Sequence, residues 1–145
     1  MSNKCQKAFR NAILNRHNYY RSLHDVTNLQ NIATIERIAL NFANKLASEN
    51  QFYHSGNHNY GENLSIKYQS HRPFDLSSTS NCASIANDFV DSWYNEIKDY
   101  DWSSPGFTMT TGHFTQVVWK SSNGLGCGLA SFYDGSYWYS VVGVW

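Results

Sequence analysis

Four titratable residues stand where a folded chain could use them: His54, Glu62 in "YGENL", Glu96 in "WYNEI" and His113 in "GHFTQVVWKSS". Two imidazoles and two carboxylates suit a divalent metal such as zinc, with imidazole as ligand and carboxylate as its hydrogen-bonded support. The same set suits proton transfer, one group as general acid and another as general base. The spacing is non-local and no HExxH is present, so spacing alone does not bring the four together. Taken singly, each histidine reads first as an ordinary surface or capped residue.

The elements that would have to position them follow from periodicity. Phe9, Ile13, His17, Tyr20 and His24 recur at helical spacing, predicting a helix over residues 6–24. Ile32, Ile35, Ala39, Phe42 and Leu46 mark a second helix ending near Asn50. Ile85, Phe89, Trp93 and Ile97 mark a third that Glu96 closes, with Ser80 or Asn81 as its N-cap. Between the second and third helices the chain is polar and reads as loop, with room for a short helix after Gly61. From His113 onward the pattern alternates, predicting strands at 113–120, 125–133 and 136–144, the last two joined by a tight turn at Asp134-Gly135. Helices first and an antiparallel meander after them predict an α+β fold with helices packed on a sheet.

Bulk composition bounds the function. The 145 residues are the size of one domain, and 41% hydrophobic residues can fill a core. Eleven basic residues balance eleven acidic ones, which argues against nucleic acid as a partner. No apolar run reaches the roughly 20 residues of a membrane helix, and no signal-peptide h-region is present. The cysteines, Cys5, Cys82 and Cys127, are odd in number and show no CxxC. They read first as small, partly buried hydrophobes, with a single bridge as the alternative.

The motifs in order resemble the CAP superfamily of cysteine-rich secretory, antigen 5 and pathogenesis-related 1 proteins. "GHFTQVVWKSS…LGCG" resembles the family's first signature, "YGENL" its G-E-N-[ILV] motif, and "RHNYYRSLH" its H-N-x-x-R helix motif. "DSWYNEIKDYDWSSPGF" is similar to the helix-and-loop segment before the signature, above all in Golgi-associated pathogenesis-related and yeast sterol-exporting members. The resemblance implies an α-β-α sandwich with helices flanking a three-stranded antiparallel sheet, spanning residues 1–145 as one CAP domain. It implies a cleft in which His54 and His113 bind zinc or another divalent metal, with Glu62 and Glu96 close by. His58 is a neighbouring polar alternative to His54.

His17, Asn18 and Arg21 share about one turn of helix and read as a structural polar network, because a buried guanidinium needs partners. Asn63 reads as satisfying loop backbone, so the sequon Asn63-Leu64-Ser65 is discounted as a glycosylation site. Tyr100, Trp102 and Phe107 fit an aromatic pattern that resembles the caveolin-binding-type loop of sterol-binding members. Exposed, they would suit an apolar ligand; packed, they would be core.

Two departures from the family pattern stand out. The usual Y-x-P-x-G-N segment does not follow the last strand, so the chain reads as truncated at its C-terminal end. Cys127 of "LGCG" also lacks its usual partner near the first tetrad histidine, as in the intracellular, membrane-associated branch. The resemblance otherwise implies an extracellular protein. Three functions follow from it. One is a non-enzymatic module binding a sterol or other small apolar lipid, at a membrane surface or in solution. Another is a hydrolase using His113 with Glu96 or Glu62; the chain has no G-x-S-x-G elbow and no papain-like cysteine context. The third is a protein-interaction or signalling module with a structural metal.

Overall fold

The computed structural model describes residues 3–56, 60–69, 76–133 and 138–144. Helix α1 (Asn3–Ser22) carries Cys5, Phe9, Ile13, His17 and Arg21 on one buried stripe, four residues apart throughout. Strand β1 (Gln30–Asn31) precedes α2 (Ala33–Glu49), whose end is closed by Asn50 in the left-handed conformation, φ 52°. Then come β2 (Asn63–Gln69), α3 (Thr79–Tyr94) and a 3-10 turn over Asn95–Asp99. Helix α4 (Gly112–Val117), β3 (Gly124–Leu125), β4 (Cys127–Tyr133) and β5 (Trp138–Val144) complete the order.

The three-stranded sheet is antiparallel in the order β2-β5-β4, with Asn63 opposite Val144 and Cys127 opposite the same residue from the other side. Helix α2 covers one face, packing on β4 and β5, while α1 and α3 pack together on the other. This is an α-β-α sandwich. β4 shows why two layers form. Cys127 and Leu129 enter the core of Phe9, Ile13, Phe89 and Trp93, and Gly128 turns to α2. A Cβ at Gly128 would collide with the backbone of Leu40, so helix and strand approach at backbone contact.

Several expectations need correction. Residues 113–120 are not a strand: Phe114, Thr115 and Val117 are buried together on the one-turn helix α4. Six residues cannot separate a period of 2 from one of 3.6, and tertiary contacts decided. The third strand is β2, in the stretch read as polar loop. Its Leu64 and Ile66 pack with α2 residues while Ser65 and Lys67 alternate with them. Ser78, not Ser80 or Asn81, is the N-cap of α3, accepting from the Asn81 backbone N–H. Glu96 sits just past α3, in the 3-10 turn. The Asp134-Gly135 turn lies outside the described residues, as does His58.

The cysteines are also corrected. Cys5 and Cys82 form a disulfide between α1 and α3, and Cys127 is free and buried. Both bridged residues lie on the apolar stripes of their helices, which is the signal that could have paired them. Closing a separation of 77 residues stabilises the fold by about 4 kcal/mol in the chain-entropy account. Burial pushes the Cys127 thiol well above its usual range, so it is protonated and unreactive.

His17 is buried, and burial draws its pKa from 6.5 down to about 4. The ring is therefore neutral, with Nδ1–H donating to the Ile13 carbonyl at 2.8 Å. Above pH 6.5 neither the folded nor the unfolded ring is charged, and stability is complete. As pH falls from 6.5 to about 4 the unfolded chain takes a proton that the folded chain refuses, costing on the order of 3 kcal/mol. Melting temperature should fall through this window, and His17→Gln should flatten that part of the profile; parallel wild-type and variant profiles would show that His17 does not carry it.

Candidate functional site

The four candidate residues form two pairs, and His54, Glu62 and His113 line one cleft, with Glu96 behind His113. His113 stands in the first turn of α4. Its Nδ1 meets Glu96 Oε2 at 2.8 Å, and the other Glu96 oxygen accepts from the Phe114 backbone N–H at 3.0 Å. One carboxylate thus orients the imidazole and caps the helix that carries it. Trp93 lies nearly parallel to the His113 ring, centroids 6.2 Å apart and planes 17° apart, and its indole N–H is tied to the Leu64 carbonyl. Asn63, buried, donates to the His113 carbonyl at 3.1 Å. That role accounts for the sequon asparagine and leaves its side chain unavailable to a glycan.

His54 lies beyond α2. Its Nδ1 meets Glu62 Oε1 at 2.6 Å, and Glu62 also accepts from the Ser55 backbone N–H at 3.0 Å and from the Ser55 hydroxyl. The Glu62 side chain is 8% exposed and the His54 side chain 67% exposed. The Gln116 amide packs against Gly61, the residue before Glu62; a Cβ there would make the end of the Gln116 side chain shift.

The cleft has a volume of about 470 Å³. It is lined by His54, Glu62, Asn63 and His113 together with Phe107, Met109, Gln116 and Trp119. In both pairs the carboxylate engages Nδ1, and neither Nε2 has a hydrogen-bond partner among the described residues. This is the arrangement that leaves Nε2 available as a metal ligand or proton acceptor. The donor set suits an ion held by two imidazoles and completed by water or ligand. Among the described residues no group of three or more His, Cys, Asp or Glu converges, so a closed four-ligand site is not built here.

The remaining candidates separate into two groups. Arg21 is fully buried, and its guanidinium donates to four backbone carbonyls: Thr27 at 2.7 Å, Val117 at 3.1 Å, Trp119 at 2.9 Å and Ser122 at 2.9 Å. Asn18 exchanges two bonds with the Leu29 backbone. The aromatic trio is divided. Tyr100 is half-buried, packed edge-on to Phe114, with its hydroxyl accepting from the Gly106 N–H at 2.8 Å. Trp102 and Phe107 are 62% and 65% exposed, and only Phe107 lines the cleft. Sequence reasoning missed Met109, 89% exposed beside Phe107, and Trp119, which had been placed in a strand.

With this geometry in place, comparison with known proteins is decisive. Residues 14–144 match the family model "CAP: Cysteine-rich secretory protein family". The chain belongs to the CAP family. It is 40% identical over 124 residues to Protein PRY2 of Saccharomyces cerevisiae, covering 85% of this chain and 32% of that protein. It is 35% identical over 139 residues to the human Golgi-associated plant pathogenesis-related protein 1, covering 94% of this chain and 82% of that one. This CAP chain thus spans about a third of its yeast relative and most of its human one. The crystal structure of NaASP2 with Zn2+ shares the fold, with a TM-score of 0.59 and 20% identity over 99% of this chain and 80% of that one.

Two outcomes follow from this geometry. Arg21→Lys, which cannot reproduce a planar four-carbonyl fit, should lower unfolding free energy by about 3 kcal/mol. It should also shift the His113 imidazole resonances, because α4 loses its anchor; an unchanged His113 signal would separate the two. Chelation should leave the melting temperature unchanged, because a carboxylate already restrains each histidine; a drop with EDTA would reveal a structural metal.

Proposed function

We propose that this CAP domain is a non-enzymatic module that binds a sterol or a comparable small apolar lipid in the cleft between Phe107, Met109 and Trp119 and the His/Glu pairs. The observation that carries the reading is the exposure of Phe107 and Met109 at a cleft of about 470 Å³. Apolar side chains left in water beside a cavity of ligand size are the ordinary signature of an apolar binding site. His54 and His113 give the cleft polar groups for a hydroxyl or carboxyl head. Zinc or another divalent ion, if bound, would be held by the Nε2 atoms of these two residues and would polarise an oxygen of the ligand. The resemblance to sterol-exporting yeast members points the same way.

The Cys5–Cys82 disulfide favours an extracellular or secretory-pathway location over the cytoplasm, and the name of the human relative, Golgi-associated, is in keeping with it. The hydrolase reading has one specific support, the Glu96–His113 pair with Nε2 free to act as a base on water. It would be recognised by a turnover that Glu96→Gln abolishes.

Sterol and fatty-acid binding by the purified chain tests the lipid reading. Saturable binding should weaken by about tenfold or more in a Phe107→Ala/Met109→Ala double variant, whose exposed positions leave the fold intact. Absence of saturable binding by the folded wild type would remove this function from the chain.

A further inference from the structure

A separate cavity, of about 210 Å³, lies between α1, α2 and β4, and none of its lining residues belongs to the His/Glu cleft. We propose that it binds a small organic carboxylate between the guanidiniums of Arg10 and Arg37. Three observations carry the site.

Its walls are fixed before a ligand arrives. The Gln6 side-chain amide exchanges two hydrogen bonds with the Leu129 backbone, at 2.6 and 3.3 Å, and so ties α1 to the edge of β4. Arg10 follows one turn later on the same helix. On the opposite wall, a Cβ at Gly126 would collide with the backbone of Ile35 and Glu36, so the start of α2 rests directly on the chain entering β4. Glu36 and Arg37 belong to that seated segment. Charged groups carried on anchored backbones lose less freedom on binding than groups on a loop that must first be ordered.

The charge is unbalanced by one. Arg10 and Arg37 bring two positive charges to the lining and Glu36 one negative charge, while the Cys127 thiol is protonated. A single carboxylate restores neutrality. Arg10 approaches Glu36 through Nε, at 3.2 Å, and its terminal nitrogens make no hydrogen bond among the described residues. Arg37 has no ion-pair or hydrogen-bond partner among the described residues. A guanidinium presents paired N–H donors that match the two oxygens of a carboxylate, and two such forks face one cavity here.

The rest of the lining is aliphatic. Ala33, Leu40 and the stem of Gln6 stand beside the Cys127 thiol, and no aromatic ring takes part. The cavity therefore suits an anionic head on a short aliphatic body.

The site stands independently of the lipid reading, and its test does not use a lipid. The probe is isobutyrate, with neutral isobutyramide as its control, titrated in low-salt buffer at neutral pH. Binding is followed by NMR at the Nε–Hε signals of Arg10 and Arg37 and at the imidazole signals of His54 and His113. Both arginine signals should shift and saturate together, with a Kd of about 1 mM for two charge-assisted contacts. The amide should leave them in place. Arg37→Gln should weaken isobutyrate by about fivefold, as an exposed charge pair allows. Glu36→Gln should do the reverse and tighten it by about threefold, because a like charge leaves the cavity while both guanidiniums remain. An Arg10–Glu36 pair that served only to join α1 to α2 would not give tighter binding when half of it is removed. No saturation, an equal response to the amide, indifference to Arg37→Gln, or unchanged or weaker binding in Glu36→Gln would each overturn the site. Shifts that saturate at His54 and His113 and not at the arginines would put the carboxylate in the His/Glu cleft and overturn it equally.

Discussion

The six-residue helix α4 depends on charges at its two ends. A helix this short does not persist by itself, since nucleation costs more than one turn of hydrogen bonds returns. Glu96 accepts from the Phe114 N–H at the start of the helix. Arg21 donates to the Val117 carbonyl at its end and to the Trp119 and Ser122 carbonyls beyond it. An anion at the N-terminus and a cation at the C-terminus both match the helix dipole. Arg21 has only carbonyl partners among the described residues, and burial lowers its pKa; the guanidinium stays charged, so those carbonyls are what offsets its desolvation. The segment that carries His113 and Trp119 is thereby fixed to α1.

That constraint propagates to the cleft. His113 is held at three points: Nδ1 by Glu96, the ring by Trp93, and the backbone carbonyl by Asn63. Asn63 begins β2, and Trp93 lies in the last turn of α3, so the histidine is tied to the sheet and to α3. Because Glu96 both caps α4 and orients His113, the chemistry of the site and the stability of its scaffold share one carboxylate.

How much of this was legible in the sequence depended on length of pattern. The long stripes on α1, α2 and α3 are unmistakable because each repeats over several turns. "HFTQVVWK" is too short to carry a period, and its helix exists through Arg21 and Glu96, residues distant in sequence. "NLSIKYQ" is a strand because β5 supplies a partner from the far end of the chain. The four tetrad positions were readable only through ordered motifs, since nothing in their spacing predicts that His54 meets Glu62 or that His113 meets Glu96. The disulfide was visible in principle: Cys5 and Cys82 both sit on apolar stripes, and two helices that pack stripe to stripe bring such residues together.

The two histidines are not equivalent walls. His54 has a single described side-chain restraint, the bond to Glu62, and its side chain stands mostly in water. Its carboxylate is the better buried of the two, fixed by Ser55 and set beside Gly61, against which the end of the Gln116 side chain packs. Ordering an exposed imidazole on a ligand costs rotamer entropy that an already stacked one has lost in folding. A ligand or ion bridging the cleft, as in the proposed function, would therefore be positioned by His113, and the adjustment would fall on His54. The same reasoning explains why Gln116 belongs to the cleft: it leaves α4 one turn past His113 and touches the loop that carries Glu62, making the anchored helix the reference against which the opposite wall is set.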